Sequence, residues 1–294
     1  MELKAVCFGE VLWDVFPTYK KIGGAPLNVA LRLRSLGVNT KIISKVGNDT
    51  NGDQLVAYIQ ENNVSTDYIQ KDATHETGKV TVRLDQEGTA SYEINHPVAW
   101  DKINLNPALQ ELVSNADVFI FGSLSCRDNV SRTTLYRLVE NSRFSVFDVN
   151  LRAPNYTSKV LYHLMEVADL IKFNDEEIIE ILGFNNVKYK SLEDNIKEIS
   201  RLTNTNKICV TRGADGAILY INDTFYYNKG IKVKVIDTVG AGDSFLATLI
   251  SKILNNEDPQ LALDHACAIG SLVASKEGAN ALISEDEIIR ILSK

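Results

Sequence analysis

Residues 236–250 read IDTVGAGDSFLATLI, with Gly240, Ala241 and Gly242 directly before Asp243 and an apolar run behind it. A glycine-rich turn that opens a helix suits an anion, because the first helical N–H groups have no intrahelical partners. The lysine of a phosphate loop is missing, and a carboxylate stands in its place. Like charges repel, so Asp243 is not a phosphate ligand. Two readings remain. It is a helix N-cap, or it is a general base that takes the proton of a hydroxyl attacking phosphorus while the N–H groups of 240–243 converge on a negative oxygen.

Four other stretches place polar groups where a ligand could meet them. In IGGAPLNVA, residues 22–30, Gly24 and Ala25 lead through Pro26 to Asn28 in a first helical turn, and Asp14 of LWDVF ends the first apolar run. A carboxylate and an amide together suit a polyol, since each can bond two neighbouring hydroxyls. Taken singly, Asp14 and Asn28 read first as turn or cap residues. FDVNLR, residues 147–152, carries Asn150 and Arg152, whose guanidinium can donate bidentate bonds to phosphate. FNDEE, residues 173–177, carries Asn174 and Glu177, and VTRGADGAILY carries Thr211 and Gly213 before an Asp215-Gly216 hairpin turn. Glu176 reads as a helix N-terminal charge favoured by the macrodipole.

The elements that must position these groups alternate along the chain. AVCFGEVLWDVF reads as one strand continuing past Gly9, PLNVALRLRSLG as a helix closed by Gly37, TKIISKVG as a strand and NGDQLVAYIQENN as a helix. ADVFIFGSL, FSVFDVNLR, KICVTRG and AILYI are further strands among helical stretches, and KVKVID, residues 232–237, alternates as a strand leading into the glycine turn. Such alternation predicts an α/β fold with a mainly parallel sheet covered on both faces, whose ligands sit at the strands' C-terminal edge. One region departs from it. GKVTVRLDQEGTASYEINHP alternates as an antiparallel hairpin with one apolar face and a turn at Asp85–Gly88, read as a small lid or a pairing surface. That leaves a homodimer through the lid open.

Composition narrows the function. The 294 residues are 45% hydrophobic and 23% charged with a net charge of −7, and no segment interleaves Lys and Arg with aromatics, so nucleic acid is not an expected partner. No apolar run approaches the ~18 residues of a membrane helix, and MELKAVCFGEVLW reads as a strand, not a signal peptide. Cys7, Cys126, Cys209 and Cys267 stand apart in apolar stretches, as buried free thiols of a cytoplasmic protein would. No G-x-G-x-x-G turn follows the first strand and no Walker A lysine motif occurs, which argues against a dinucleotide oxidoreductase and a P-loop NTPase.

DTVGAGDSF, residues 237–245, closely resembles the C-terminal signature of the ribokinase-like (PfkB) carbohydrate kinases. The paired-glycine motif, the Asn-x-x-Glu element and the Thr-x-Gly pair follow the family's order from Gly9 to about Gly278. The resemblance implies a three-layer α/β/α fold as one domain over 1–294, with a β lid from about 11–22 and 77–98. It implies transfer of the ATP γ-phosphoryl group to a sugar hydroxyl, with Asp243 as base and Gly240, Ala241 and Gly242 around the phosphoryl group. Asp14, Gly24, Ala25, Asn28, Asn150 and Arg152 would meet the sugar. Asn174, Thr211, Gly213, Asp237, Gly240, Gly242 and Gly278 would follow the nucleotide, and Glu177 would hold Mg2+ through water. In many relatives the Asp at the position of Asp237 holds a monovalent cation with loop carbonyls. The Ala274–Gly278 run departs from the family form and leaves K+ dependence open.

Gly-Gly-Ala-Pro in place of the Gly-Gly-Lys-Gly of ribokinases, with GEVLWDVFP and HPVAWDKI, looks most like bacterial fructokinases. Fructose phosphorylated at O6 is the expectation. Kinases of 2-keto-3-deoxygluconate, ribose, another ketose or a nucleoside are alternatives, as is a non-catalytic sugar- or nucleotide-binding regulator on the same fold.

Overall fold

The structure, a computed structural model, describes residues 2–84, 90–184 and 190–293. The chain opens with β1 (Lys4–Phe8), β2 (Leu12–Val15), β3 (Lys20–Gly23), α1 (Ala25–Ser35), β4 (Asn39–Gly47), α2 (Thr50–Glu61) and β5 (Ile69–Asp72). The hairpin β6 (Gly78–Leu84) and β7 (Ala90–Ile94) follows. Then come α3 (Pro107–Ser114), β8 (Val118–Gly122), α4 (Asn129–Val139), β9 (Ser145–Asp148), α5 (Ser158–Glu166), β10 (Leu170–Asn174), α6 (Asp175–Gly183) and α7 (Leu192–Thr203). β11 (Lys207–Thr211), β12 (Ala217–Ile221), β13 (Thr224–Asn228), α8 (Ala241–Leu254), α9 (Pro259–Ala274) and α10 (Glu285–Leu292) complete it.

Nine strands form the main sheet in the order β13-β12-β11-β10-β9-β8-β1-β4-β5. It is parallel from β11 through β5, while β12 runs antiparallel to both its neighbours. Side chains alternate across a strand, so Val6 and Phe8 enter one core with Phe119, Phe121, Phe147, Ile171 and Phe173 under α3–α7. Ala5, Cys7, Ile42, Ile120 and Val146 enter the other, against α1, α2 and α8. Helices on both faces explain why these strands are apolar throughout. The result is the α/β/α layering expected. All four cysteines are free and buried.

A second sheet, β3-β2-β6-β7, is built from the stretches expected to form a lid. β6 and β7 pair antiparallel, and β2 joins β6 in parallel; the Asp85–Gly88 turn lies outside the described residues. Val80 and Val82 of its apolar face are already buried within the single chain. Lys20 pins the lid to α2, with Nζ 4.0 Å from the Trp13 ring centroid and bonded to the Asn51 and Gln54 side chains.

Two sequence expectations need correction. The first strand does not continue past Gly9; it splits into β1 and β2, which belong to different sheets. Gly9 has φ +142°, and a Cβ there would come within 2.8 Å of Pro26, so the break is built on glycine. Residues 232–237 form no strand either. The main sheet already ends at β13, and Val233 instead packs with Ile231 on Ala268, Leu272 and Ile291. The Ile236 and Asp237 N–H groups donate to the Ala274 carbonyl at the end of α9. A period-2 pattern can serve a helix surface as well as a sheet.

Candidate active site

The glycine turn closes over the C-terminal edge of the main sheet. Gly240 is the N-cap of α8 at φ +75°, and a Cβ there would lie 2.4 Å from that of Ala279. The turn is therefore clasped against the loop after α9. Ala241 and Gly242 begin the helix, and Asp243 is its third residue, so the cap reading of Asp243 falls away. Its carboxylate Oδ2 accepts a 2.8 Å bond from Asn28 Nδ2. Arg32, one turn further along α1, donates to Ser244 Oγ and to the Ala281 carbonyl, which locks α1 to the start of α8. Burial, with Asp148 next, pushes the Asp243 carboxyl up to about 6, against the pull of Asn28, Lys172 and Arg152.

The residues expected to meet a sugar gather near it. Gly24 sits at φ +117°, where a Cβ would come within 2.4 Å of the Glu10 carbonyl, and Ala25 starts α1. Gly23 leaves room for the Asp14 carboxylate, since a Cβ there would lie 2.4 Å from Asp14 Oδ2. Burial raises Asp14 to about 6, against Arg152 and Lys21. Asn150 adopts φ +39°, so the chain turns at the end of β9 and sends Arg152 toward Glu10, Asp14 and Asp243, whose electrostatics it shares.

At the ends of β9 and β10 lie three further charges. Lys172 Nζ bonds Asp148 Oδ1 at 2.9 Å, both buried, while Asp148 Oδ2 has no hydrogen-bond partner among the described residues. Asn174 and Glu177 form a reciprocal cap of α6: Asn174 Oδ1 accepts from the N–H groups of Glu176 and Glu177, and Glu177 Oε2 accepts from Asn174 N. Glu177 Oε1 also accepts from Leu151 N, tying α6 to the loop that carries Arg152. Burial raises the Glu177 carboxyl above its usual range, countered by Lys172. Glu176 is exposed, as a plain N-terminal helix charge should be.

The residues expected along a nucleotide lie outside the charge cluster. Thr211 bonds the Phe173 carbonyl at 3.3 Å and Gly213 turns at φ +54°. Asp237 accepts from Val239 N and Gly278 N, with Lys21 Nζ at 4.0 Å, so its carboxylate is engaged in closing the turn. Gly278 has φ +80°.

Three members of the cluster escaped the sequence reading: Glu10, Asp148 and Lys172. Each is a charge inside or at the end of an apolar strand, which was the available signal. Glu10 is 3% exposed with Oε2 unpartnered among the described residues. Burial raises it to about 7, with Asp243 adding to the rise and Arg152 and Arg127 opposing it. The unpartnered Asp148 oxygen beside Glu177 is a hard donor that suits Mg2+, which takes few protein ligands and keeps waters. Among the described residues no group of three His, Cys, Asp or Glu side chains converges on a metal position.

A carboxylate of raised proton affinity beside a glycine turn at a helix start suits phosphoryl transfer to a hydroxyl, and comparison with known proteins agrees. The profile described as pfkB family carbohydrate kinase matches residues 2–286. A putative sugar kinase of Pyrococcus horikoshii is 33% identical over 95% of this chain and 89% of that protein. Its crystal structure in complex with ATP superposes with a TM-score of 0.82 over 99% of this chain and 100% of that one. Probable fructokinase-6 of Arabidopsis thaliana is 30% identical over 93% of this chain and 78% of its own length. The ATP-bound fructokinase of Xylella fastidiosa shares the fold with a TM-score of 0.88 at 23% identity, over 100% and 99% of the two chains. With the family profile spanning nearly its whole length and a sheet edge arranged for phosphoryl transfer, the chain belongs to the PfkB family of carbohydrate kinases, phosphotransferases with an alcohol group as acceptor.

Proposed function

We propose that the enzyme transfers the γ-phosphoryl group of MgATP to O6 of fructose. One observation carries the choice of a neutral sugar. Arg152 is the cation that acts on all three carboxylates of Glu10, Asp14 and Asp243, while Arg127 and Lys172 are paired with Asp101 and Asp148 and Lys21 lies 4.0 Å from Asp237, so the sugar end of the site has little uncommitted positive charge. Such a pocket favours a neutral polyol over a sugar acid such as 2-keto-3-deoxygluconate, whose carboxylate would lie against like charge. The fructokinases among its relatives support the ketose.

In this reading Asp14 accepts from sugar hydroxyls, and the Gly24-Ala25 backbone and Asn150 close the pocket around the ring. Asp243 takes the proton of the attacking hydroxyl. The new bond forms between sugar oxygen and γ-phosphorus, the bond from γ-phosphorus to the bridging oxygen breaks, and ADP leaves with that electron pair. N–H groups at 240–243 and the guanidinium of Arg152 stabilise charge on the equatorial oxygens. Asn174, Thr211, Gly213, Asp237 and Gly278 border the nucleotide. Asp148 and Glu177, the latter through water, would hold Mg2+, which supplies neutralisation of the phosphate charge. Four buried free thiols suit a reducing, cytoplasmic setting.

ADP release from purified protein with MgATP over fructose, ribose, 2-keto-3-deoxygluconate and adenosine tests the reading. The expected outcome is the highest kcat/KM for fructose. A sugar acid as best substrate overturns the charge argument, and binding of sugar and ATP with no ADP from any acceptor identifies a regulator.

A further inference from the structure

The hydrogen bond that fixes the base does not end at Asn28. Asn28 gives Nδ2 to Asp243, and its own Oδ1 accepts a 3.2 Å bond from Asn280 Nδ2 in the loop after α9. A primary amide has a donor end and an acceptor end, and the network decides which way it points. An ionised carboxylate only accepts, so Asn28 must turn its NH2 toward Asp243 and leave its oxygen facing residue 280. Asn28 is 5% exposed, so water is a poor substitute for the donor that oxygen needs. An acceptor at 280 would draw the Asn28 amide around and set its oxygen against the base.

The loop is built to hold Asn280 there. Gly240 packs on Ala279, and the neighbouring Ala281 carbonyl is bonded by Arg32 of α1. The Tyr58 hydroxyl of α2 lies near the Asn280 side chain. Other groups also act on Asp243: Asp148 from β9, Lys172 from β10, Arg152 from the loop after β9 and Glu10 from the end of β1. Of the two helices against α8, α1 brings the Asn28 amide and the Arg32 guanidinium, and α9 approaches Ala241 through Gly270. Asn280 is the member of the set that acts through another side chain.

We propose that Asn280 is a positioning residue of the kinase, orienting the Asn28 amide so that it donates to Asp243; this rests on the reading of Asp243 as the base. The test is kcat against pH for Asn280→Leu and Asn280→Asp, alone and in an Asn28→Ala background, with KM for ATP and melting temperature recorded. Losing one hydrogen bond predicts a kcat about 3- to 10-fold lower for Asn280→Leu, with KM for ATP within about twofold. Asn280→Asp should lose more near pH 6, with its acid limb moved to higher pH and partial recovery as pH rises. In the Asn28→Ala background the same substitution should change kcat less than about twofold, because the route through Asn28 is gone. An Asn280→Asp profile superimposable on the parent's, a loss seen only in KM for ATP, or an undiminished effect without Asn28 each overturns the proposal. An active Asp243→Asn enzyme overturns the base itself and the proposal with it, whereas an inactive one beside an unshifted Asn280→Asp profile overturns the proposal alone.

Discussion

Two groups of sheltered carboxylates are treated in opposite ways by their surroundings. At the β4–β5 side, Asp49 accepts from the N–H groups of Gly52 and Thr77 and from the Thr77 hydroxyl. Asp72 accepts from the N–H groups of Thr74 and His75, from the Thr74 hydroxyl and from Lys45 Nζ at 2.9 Å. Burial acts to raise both carboxyls, but these bonds outweigh it and hold them below the usual carboxylate range. At the active site Glu10, Asp14 and Asp243 are more deeply desolvated and have fewer bonds, and all three are raised. The paired group holds the loop entering the lid in place. The unpaired group keeps proton affinity near neutrality, which a base needs and a structural anchor does not.

Removing a charge should therefore have opposite consequences on the two sides. Asp243→Asn should lower kcat by about 10²- to 10⁴-fold, the usual scale of general-base assistance, while the melting temperature at pH 8 stays level or rises. Steady-state kinetics with thermal unfolding reads both, and an Asn enzyme that keeps its kcat would remove the distinction drawn here. Asp72→Asn should do the reverse. It strands the buried Lys45 ammonium, leaving it the Lys102 carbonyl, and should cost about 3–5 kcal/mol of stability with kcat within about threefold. Urea denaturation measures that loss, and a cost below about 1 kcal/mol would mean the pairing is not what anchors the lid.

Only part of the active-site side of this contrast could be read in the sequence; nothing in it marked Asp49 and Asp72 as anchors. DTVGAGDSF and GGAPLN announced Asp243 and Asn28 because glycines at a helix start have few other uses. The role of Asn28 was harder to see: its partners Asp243 and Asn280 lie 215 and 252 residues away, so no local pattern joins them. Glu10, Asp148 and Lys172 were hidden by their apolar neighbours, since a strand buried on both faces looks alike whether a charge in it is paired or exposed to substrate. The 232–237 stretch misled for the opposite reason. Alternation reports one buried face but not what buries it, and here Val233 packs against α9 and α10 side chains.

The pH dependence of activity sharpens the comparison on the active-site side. As the proposed base, Asp243 would act only when ionised, so kcat/KM should fall about tenfold per pH unit below an apparent value near 6 and level off above it. The titration belongs to the cluster, because Asp148, Lys172 and Arg152 act on Asp243 and Glu10 responds to it. An acid limb near 4 would mean that the free enzyme does not shelter Asp243 as described.

The smallest effect isolates the unpaired group's contribution to stability. Glu10 has a folded value of about 7 against an ordinary 4.5, so between those values the folded chain holds a proton that the unfolded chain releases. Stability from this group is accordingly full below about 4.5 and declines as pH rises to about 7. Glutamine keeps the shape and cannot ionise. Glu10→Gln should match the parent's melting temperature at pH 4.5 and exceed it by several degrees at pH 8, the excess amounting to at most about 3 kcal/mol. Asp72 has the opposite sign: its depressed value makes the parent lose stability on acidification, which Glu10→Gln leaves untouched. Melting curves of the two proteins from pH 4.5 to 8 should therefore diverge only on the alkaline side. A Glu10→Gln melting temperature below the parent's at pH 8, with the gap closing on acidification, would mean that Glu10 is a paired structural carboxylate like Asp72.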